Sequence, residues 1–158
     1  EKKEQQCHSS FQRLFPREVI SQFTLFPYVL AGLQMLRRGG KKLAVLTGFD
    51  RKETAFFLEQ MHLTPYFDLV LSAEDIIEHR PHPRGLLLAM EKLLVPKEDV
   101  LYVGDTWVDV QFAQNAGVKV AIVKTGAQEP ASIEKEKPDY FVTDFRDIVK
   151  IARNTLSS

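Results

Sequence analysis

The chain has 158 residues, of which 44% are hydrophobic and 27% are charged, as in ordinary globular domains. This composition excludes a disordered chain, and the length suits one domain with a sizeable core. The 21 basic and 21 acidic residues cancel, which disfavours a general nucleic-acid binder. A single cysteine excludes an internal disulfide framework, and no apolar run approaches the roughly 20 residues of a membrane span. We therefore expect a cytoplasmic domain with no nucleic-acid or membrane partner.

From residue 27 onward, segments with helical periodicity alternate with short apolar runs typical of strands. Helices are predicted over 27–38, from Asp50 through Met61, from Pro83 through Leu94, from Val108 to Gly117 and over 145–156. Strands are predicted over 43–46, 67–71, 100–103, 118–123 and 140–142, with a polar connection over 127–138. Strands separated by helices of this length indicate right-handed crossovers and a parallel sheet.

Several local motifs sharpen these predictions. Asp50-x-x-Glu53 is typical of a capping box that opens a helix, and Gly117 is typical of a helix end. The apolar face of the first helix is predicted to hold Val29, Leu30, Leu33 and Leu36. That of the helix after Pro83 is predicted to hold Leu86, Leu87, Met90, Leu93 and Leu94.

Polar residues follow the predicted strands at the edge where parallel sheets bind ligands. Thr47 and Gly48 follow the first strand, and this hydroxyl beside accessible amides can hold a phosphate oxygen or can simply form a turn. Asp105 follows the third strand, and Asp109 stands four residues later. These carboxylates can bind a hard cation such as Mg²⁺, or Asp105 or Thr106 can cap the following helix.

Arg80 lies in the segment His79-Arg80-Pro81-His82-Pro83, beyond the second strand. Its prolines stiffen the connection and fix the direction of the cation. A solvated arginine in a tight connection is the simpler interpretation of this segment taken alone.

The order of these motifs resembles the haloacid dehalogenase superfamily of phosphohydrolases, in particular its phosphoglycolate-phosphatase-like members with a helical cap. An apolar strand leads to Thr47, Arg80 precedes Pro-x-Pro, and another apolar strand leads to Gly104-Asp105-Thr106-x-x-Asp109. Further phrases typical of the family are Tyr66-Phe67-Asp68, Ala113-x-x-Ala116-Gly117-Val118 and Asp139-Tyr140-Phe141.

The resemblance implies a three-layer α/β/α, Rossmann-like sandwich with a parallel sheet. It implies that residues 1–24 are the remnant of a helical cap and that residues 25–158 form the core. The implied activity is Mg²⁺-dependent hydrolysis of small phosphorylated metabolites through an aspartyl-phosphate.

The resemblance also implies a role for each site residue. Thr47, with Gly48 beside it, would hydrogen-bond the transferring phosphoryl group. Arg80 stands where the family usually has lysine and would offset negative charge. Asp105 would bind Mg²⁺, and Asp109 would bind the metal directly, through water, or would steady the loop.

One expected feature of the family is missing from the sequence. Members attack phosphorus with an aspartate on the first, central strand, in the pattern Asp-x-Asp-x-Thr or Asp-x-Asp-x-Val. This sequence contains no Asp-x-Asp. Without that strand, its two neighbours would carry unpaired backbone groups. We expect the strand to lie upstream, the chain to begin inside the cap, and the chain alone to be inactive.

Alternative interpretations remain open from the sequence. The chain could be a natural pseudo-enzyme or a scaffold that keeps the phosphate and metal pocket. It could also pair its open sheet edge with a second copy or with a partner chain that supplies the strand. A receiver-like signalling domain fits less well, because its acidic pair should come early in the chain. A dehalogenase is disfavoured by the metal-type Asp105-x-x-x-Asp109.

Overall fold

The computed structural model describes residues 24–124 and 130–155. Its α-helices are α1 (Val29–Arg38), α2 (Arg51–Gln60), α3 (Arg84–Leu93), α4 (Trp107–Ala116), α5 (Pro130–Glu134) and α6 (Phe145–Thr155). Its strands are β1 (Ala44–Leu46), β2 (Leu69–Leu71), β3 (Leu101–Gly104), β4 (Lys119–Val123) and β5 (Tyr140–Val142). Short 3-10 turns stand at Thr64–Tyr66, Ala73–Asp75 and Lys97–Asp99. The cap predicted for residues 1–24 lies, but for its last residue, outside the described part.

The strands are parallel, as predicted, and they form a sheet in two parts. Strand β1 pairs with β2, while β3, β4 and β5 pair in that order. Among the described residues, no strand pairs with β1 on its other edge or with β3 on its other edge. Strands β1 and β3 therefore each have one edge that is unpaired within the described residues.

Helices cover both faces of the sheet and complete three layers. Strand β4 shows this arrangement, because Val120 and Ile122 face one layer while Ala121 faces the other. On the first face, the core is formed with α3, α4 and α5, and its buried members are Leu86, Val110, Phe112, Ala113, Ala116, Val118, Val120, Ile122 and Ile133. On the second face, α1 and α6 pack together through Leu36, Val149 and Ala152.

Helices α1 and α6 approach each other closely at a glycine. A Cβ added at Gly32 would lie 2.7 Å from Cε1 of Phe145. Because a real Cβ does not come that near another carbon, only glycine allows this spacing between the two helices.

The motifs at three helix ends are confirmed. Asp50 accepts a hydrogen bond from the amide of Glu53, whose side chain accepts one from the amide of Asp50. Thr106, and not Asp105, is the N-cap of α4. Gly117 ends α4 in the left-handed conformation, with φ of 72°.

Some boundaries and faces differ from the predictions. Helix α1 begins at Val29 because Tyr28 adopts a left-handed conformation with φ of 66°. Leu30 and Leu87 point outward and are 41% and 42% exposed. Leu94 is 86% exposed because it ends α3 in the left-handed conformation and lies past the helix's packed face.

In the described part of the chain, every helix is too short or too polar to cross a membrane.

Candidate functional site

The residues predicted for the site follow the carboxyl ends of two strands. Thr47 comes directly after β1, and Asp105 comes directly after β3. Arg80 precedes α3, in the connection that returns from β2. The fold therefore brings together residues that lie far apart in the sequence.

Thr47, Gly48 and Arg80 line one small cavity of about 40 Å³. The hydroxyl oxygen of Thr47 accepts a hydrogen bond from the amide of Phe49, at 3.1 Å. Such a hydroxyl can still donate its own proton to a phosphate oxygen. Gly48 has no atom within 4 Å of the position that a Cβ would take, so the backbone there is open to a ligand.

Arg80 is tied to α4 and β3 by two contacts of the same nitrogen. Its Nη1 donates to Oδ1 of Asp109 at 2.6 Å and to the hydroxyl of Tyr102 at 3.1 Å. The Tyr102 hydroxyl in turn donates to the same Asp109 oxygen at 2.9 Å. The Asp109 side chain is 4% exposed and that of Arg80 is 37% exposed, so the pair joins a buried anion to a half-exposed cation.

The second oxygen of Asp109 holds the loop at the end of β3. Its Oδ2 accepts hydrogen bonds from the amides of Asp105 and Thr106 and from the Thr106 hydroxyl, at 3.2, 3.1 and 2.6 Å. Both carboxylate oxygens of Asp109 are therefore occupied by donors within the protein. This network fixes the backbone of Asp105, the residue that presents its carboxylate at the surface.

The electrostatics of the two carboxylates differ in direction. Partial desolvation and the negative charge of Asp109 raise the pKa of Asp105, and the charge of Arg80 opposes this rise. Burial alone would raise the pKa of Asp109. The hydrogen bonds from Thr106 and the charge of Arg80 outweigh burial and lower that pKa below its ordinary value. Asp109 is thus held as an anion inside the protein.

Tyr102 is the site residue that sequence reasoning missed. Burial and the neighbouring Asp109 carboxylate raise the pKa of its phenol well above the ordinary value, so the hydroxyl keeps its proton. The sequence signal for Tyr102 is a tyrosine within an otherwise apolar strand. A buried phenol needs a hydrogen-bonding partner, so such a tyrosine indicates a polar group nearby.

The residues present fit one part of a magnesium site. Within residues 24–124 and 130–155, no group of three or more His, Cys, Asp or Glu side chains is close enough to hold a metal ion. Mg²⁺ usually keeps several waters and takes one or two carboxylates together with substrate oxygens. The Asp105 carboxylate suits that requirement, whereas both oxygens of Asp109 already accept hydrogen bonds.

An apolar cleft, here named the β1–β3 cleft, leads to this site from inside the sheet. It has a volume of about 420 Å³ and is lined by residues 44–46 of β1 and residues 101–103 of β3. Its apolar walls include Leu33, Leu36, Leu86, Met90, Phe145 and Ile148. Thr47 and Asp105 follow the two lining strands, so they flank the end of the cleft.

Comparisons with known proteins agree with the motifs. Residues 1–123 match the family of haloacid dehalogenase-like hydrolases. The chain is 31% identical over 153 residues to a phosphoglycolate phosphatase of Pectobacterium atrosepticum, covering 97% of this chain and 65% of that protein. It is 30% identical over 145 residues to the pyrophosphatase PpaX of Bacillus mycoides, covering 92% of this chain and 66% of that protein.

A solved structure is similar over most of the described fold. It is the crystal structure of a predicted phosphoglycolate phosphatase from Haemophilus somnus 129PT, with a TM-score of 0.76 and 30% sequence identity. The match covers 81% of this chain and 57% of that one. The chain thus spans less than two thirds of the length of these relatives. The matched model, the α/β/α layers and the residues at the strand ends establish that the chain belongs to the haloacid dehalogenase-like hydrolase family.

Proposed function

We propose that this chain forms the phosphate- and metal-binding part of a Mg²⁺-dependent phosphatase of small phosphorylated metabolites. The observation that carries this proposal is the convergence of Thr47, Gly48 and Arg80 on one cavity, while Asp109, the partner of Arg80, also holds the backbone amide of Asp105. A hydroxyl donor, open amides, a cation and a carboxylate at the end of a strand are among the groups that phosphoryl transfer uses.

Each residue has a distinct role in the proposal. Thr47 and Arg80 bind oxygens of the phosphoryl group, and the open backbone at Gly48 lets the phosphate approach. Asp105 holds Mg²⁺, which supplies positive charge against the phosphoryl oxygens. Asp109 supports the site by steadying the Asp105 loop and by pairing with Arg80, because its own oxygens are occupied.

The attacking carboxylate must come from outside the described residues. The β1–β3 cleft suits a single apolar strand, since both lining strands have an edge that is unpaired in the described part of the chain. A carboxylate at the end of such a strand would lie between Thr47 and Asp105. The strand comes from an upstream segment or from a partner chain that pairs at this open edge. The relatives named as phosphoglycolate phosphatase and pyrophosphatase support phosphate as the group that is transferred.

The test measures hydrolysis of p-nitrophenyl phosphate with Mg²⁺ and with EDTA. We expect no turnover by the chain alone. Adding a synthetic apolar peptide that ends in Asp-x-Asp-x-Thr should give turnover that requires Mg²⁺. Binding of the peptide is followed independently by the fluorescence of Trp107, the single tryptophan of the chain, which stands next to the Asp105 loop.

Matched variants separate the proposed roles. A peptide with its first aspartate replaced by asparagine should bind without restoring turnover. Asp105→Asn should abolish the restored turnover, while Asp147→Asn, which removes only a carboxylate paired with the exposed Lys150 on α6, should leave it unchanged. If the bound peptide restores nothing, or if Asp105→Asn is fully active, the phosphatase proposal is wrong. Mg²⁺-dependent turnover by the chain alone would instead show that it contains its own nucleophile.

A non-catalytic phosphate-binding protein is the second candidate, favoured by the absence of Asp-x-Asp from the sequence. It keeps the same cavity and the same charged groups. Binding of inorganic phosphate by the chain, without turnover in the presence of the bound peptide, would favour this candidate over the enzyme.

A further inference from the structure

Tyr102 is placed to control the orientation of Arg80. It lies on β3 between Leu101 and Val103. Leu101 faces the layer of α1 and α6. Its hydroxyl accepts a hydrogen bond from Nη1 of Arg80 and donates one to Asp109. One phenol thus contacts both members of the ion pair that the proposed phosphatase site needs.

The ring that carries this hydroxyl is itself held in place. It packs edge-to-face against Phe112, with ring centroids 5.2 Å apart and an interplanar angle of 78°. Phe112 is 2% exposed and belongs to the core cluster of α4. Because a strand and a buried ring fix the phenol, its hydroxyl is a rigid acceptor for the arginine.

A second contact matters because the ion pair alone leaves Arg80 free to turn. Asp109 binds Arg80 through a single nitrogen, and the Arg80 side chain is 37% exposed. A guanidinium that one partner holds at a single nitrogen can still rotate about that contact. With Nη1 bound by both Tyr102 and Asp109, the guanidinium plane is restricted, and its remaining N–H groups can face the cavity that Thr47 also lines.

We propose that Tyr102 is a positioning residue that holds Nη1 of Arg80 so that the rest of the guanidinium points toward the bound phosphate. The inference rests on the proposed function, because it assigns the phosphate as the ligand of Arg80. A purely structural role would require only that the phenol find a partner, and Asp109 already provides one. The experiment must therefore separate the effect of the Tyr102–Arg80 contact from that of the Tyr102–Asp109 contact.

The first measurement is the affinity of the chain for inorganic phosphate in the presence of Mg²⁺, by calorimetry. Tyr102→Phe keeps the ring and removes the hydroxyl. We expect at least about tenfold weaker phosphate binding, the effect of one lost hydrogen bond to a charged group. The matched control is Tyr66→Phe, because the Tyr66 hydroxyl also accepts a side-chain hydrogen bond, from Gln34 at 3.1 Å, away from the site.

A double-mutant cycle with Arg80→Gln shows whether Tyr102 acts through Arg80. If it does, Tyr102→Phe changes phosphate affinity little once Arg80 is absent. An unchanged affinity in Tyr102→Phe, or an equal loss with and without Arg80, overturns the inference. Loss of affinity in Tyr66→Phe as large as in Tyr102→Phe would also overturn it, since the effect would then not be specific to the site.

A second measurement does not depend on phosphate. Nuclear magnetic resonance of the Arg80 guanidinium protons should show slow exchange in the wild type and faster exchange in Tyr102→Phe. If the wild type binds no phosphate, the proposed function fails, and this exchange measurement alone decides the role of Tyr102. Equal exchange in both proteins would refute the positioning role, and faster exchange in the variant would support it.

Discussion

Gly104 ends strand β3 directly against the side chain of Asp109. A Cβ at position 104 would come 2.5 Å from the carboxyl carbon Cγ of Asp109. The glycine is therefore required by close approach, since its backbone does not adopt a positive φ. Because Asp109 contacts both Arg80 and the Asp105 loop, the absence of a side chain at Gly104 sets the geometry of the whole site.

Gly104→Ala should destabilise the protein. The added methyl group forces Asp109 away from its donors, and overpacking of this kind costs about 1–3 kcal/mol. Urea unfolding measures the change in free energy. Gly48→Ala is the control, because a Cβ there meets no atom within 4 Å and should change stability by less than about 0.5 kcal/mol. Equal stability of the two variants would contradict the close-approach argument.

Asp109→Asn should lower the free energy of unfolding by about 2 kcal/mol, because the substitution removes a charged acceptor that is buried among several donors. Asp147→Asn breaks only the exposed pair with Lys150, which lies 3.1 Å away, and should cost about 0–1 kcal/mol. Chemical unfolding of the two variants provides the comparison. A loss in Asp147→Asn as large as in Asp109→Asn would show that the buried network contributes nothing beyond an ordinary surface pair.

Lowering the pH should weaken the packing of α1 against the part of the sheet formed by β1 and β2, because Asp68 loses its charge. The amide of Leu43 and the guanidinium of Arg37 hold the pKa of Asp68 below its ordinary value. A lowered pKa in the folded protein contributes stability above the unfolded pKa of about 4. That contribution is lost as the pH falls through the lower, folded pKa. In Asp68→Asn, the drop in unfolding free energy between about pH 6 and pH 3 should be smaller than in the wild type. An unchanged drop would contradict this assignment.

Mg²⁺ should stabilise the wild type and not Asp105→Asn. A ligand that binds only the folded state raises stability as its concentration exceeds Kd. Because desolvation and Asp109 raise the pKa of Asp105, removing this charge should not itself destabilise the fold near neutral pH. Thermal melting with increasing Mg²⁺ and then with EDTA measures the effect, and Asp147→Asn should respond as the wild type does. A melting temperature of Asp105→Asn that rises as much as in the wild type would exclude Asp105 as the ligand.

The order of elements and the residues at the strand ends could be predicted because they depend on local patterns. The capping box of Asp50 and the glycine at 117 involve neighbours along the chain, and both are confirmed. The start of α1 was predicted too early, because the neighbouring sequence does not indicate that Tyr28 adopts the left-handed conformation. The centroid of the Tyr28 ring lies 4.0 Å from the guanidinium carbon of Arg146, on the last helix.

The hydrogen-bond network around Asp109 could not be predicted from the sequence. Hydrogen-bonding partners of Arg80 and Tyr102 come from separate elements, and only the fold sets their distances. The helical periodicity also placed Leu87 on the packed face of α3, and this prediction was wrong. Leucines at adjacent positions do not show which side of the helix meets the sheet.

The contact of Gly32 with Phe145 has a consequence for folding. It joins helices near opposite ends of the described chain. Helix α1 precedes the pair β1–β2, and α6 follows the group β3–β4–β5. Since no strand in the described residues bridges the two parts, side-chain packing joins them, through α1 and α6 on one face and through α3 and α4 on the other. Contacts so distant in sequence are associated with slow folding, and this packing makes each part of the sheet depend on the other. The two parts of the sheet should therefore lose their structure in a single cooperative transition.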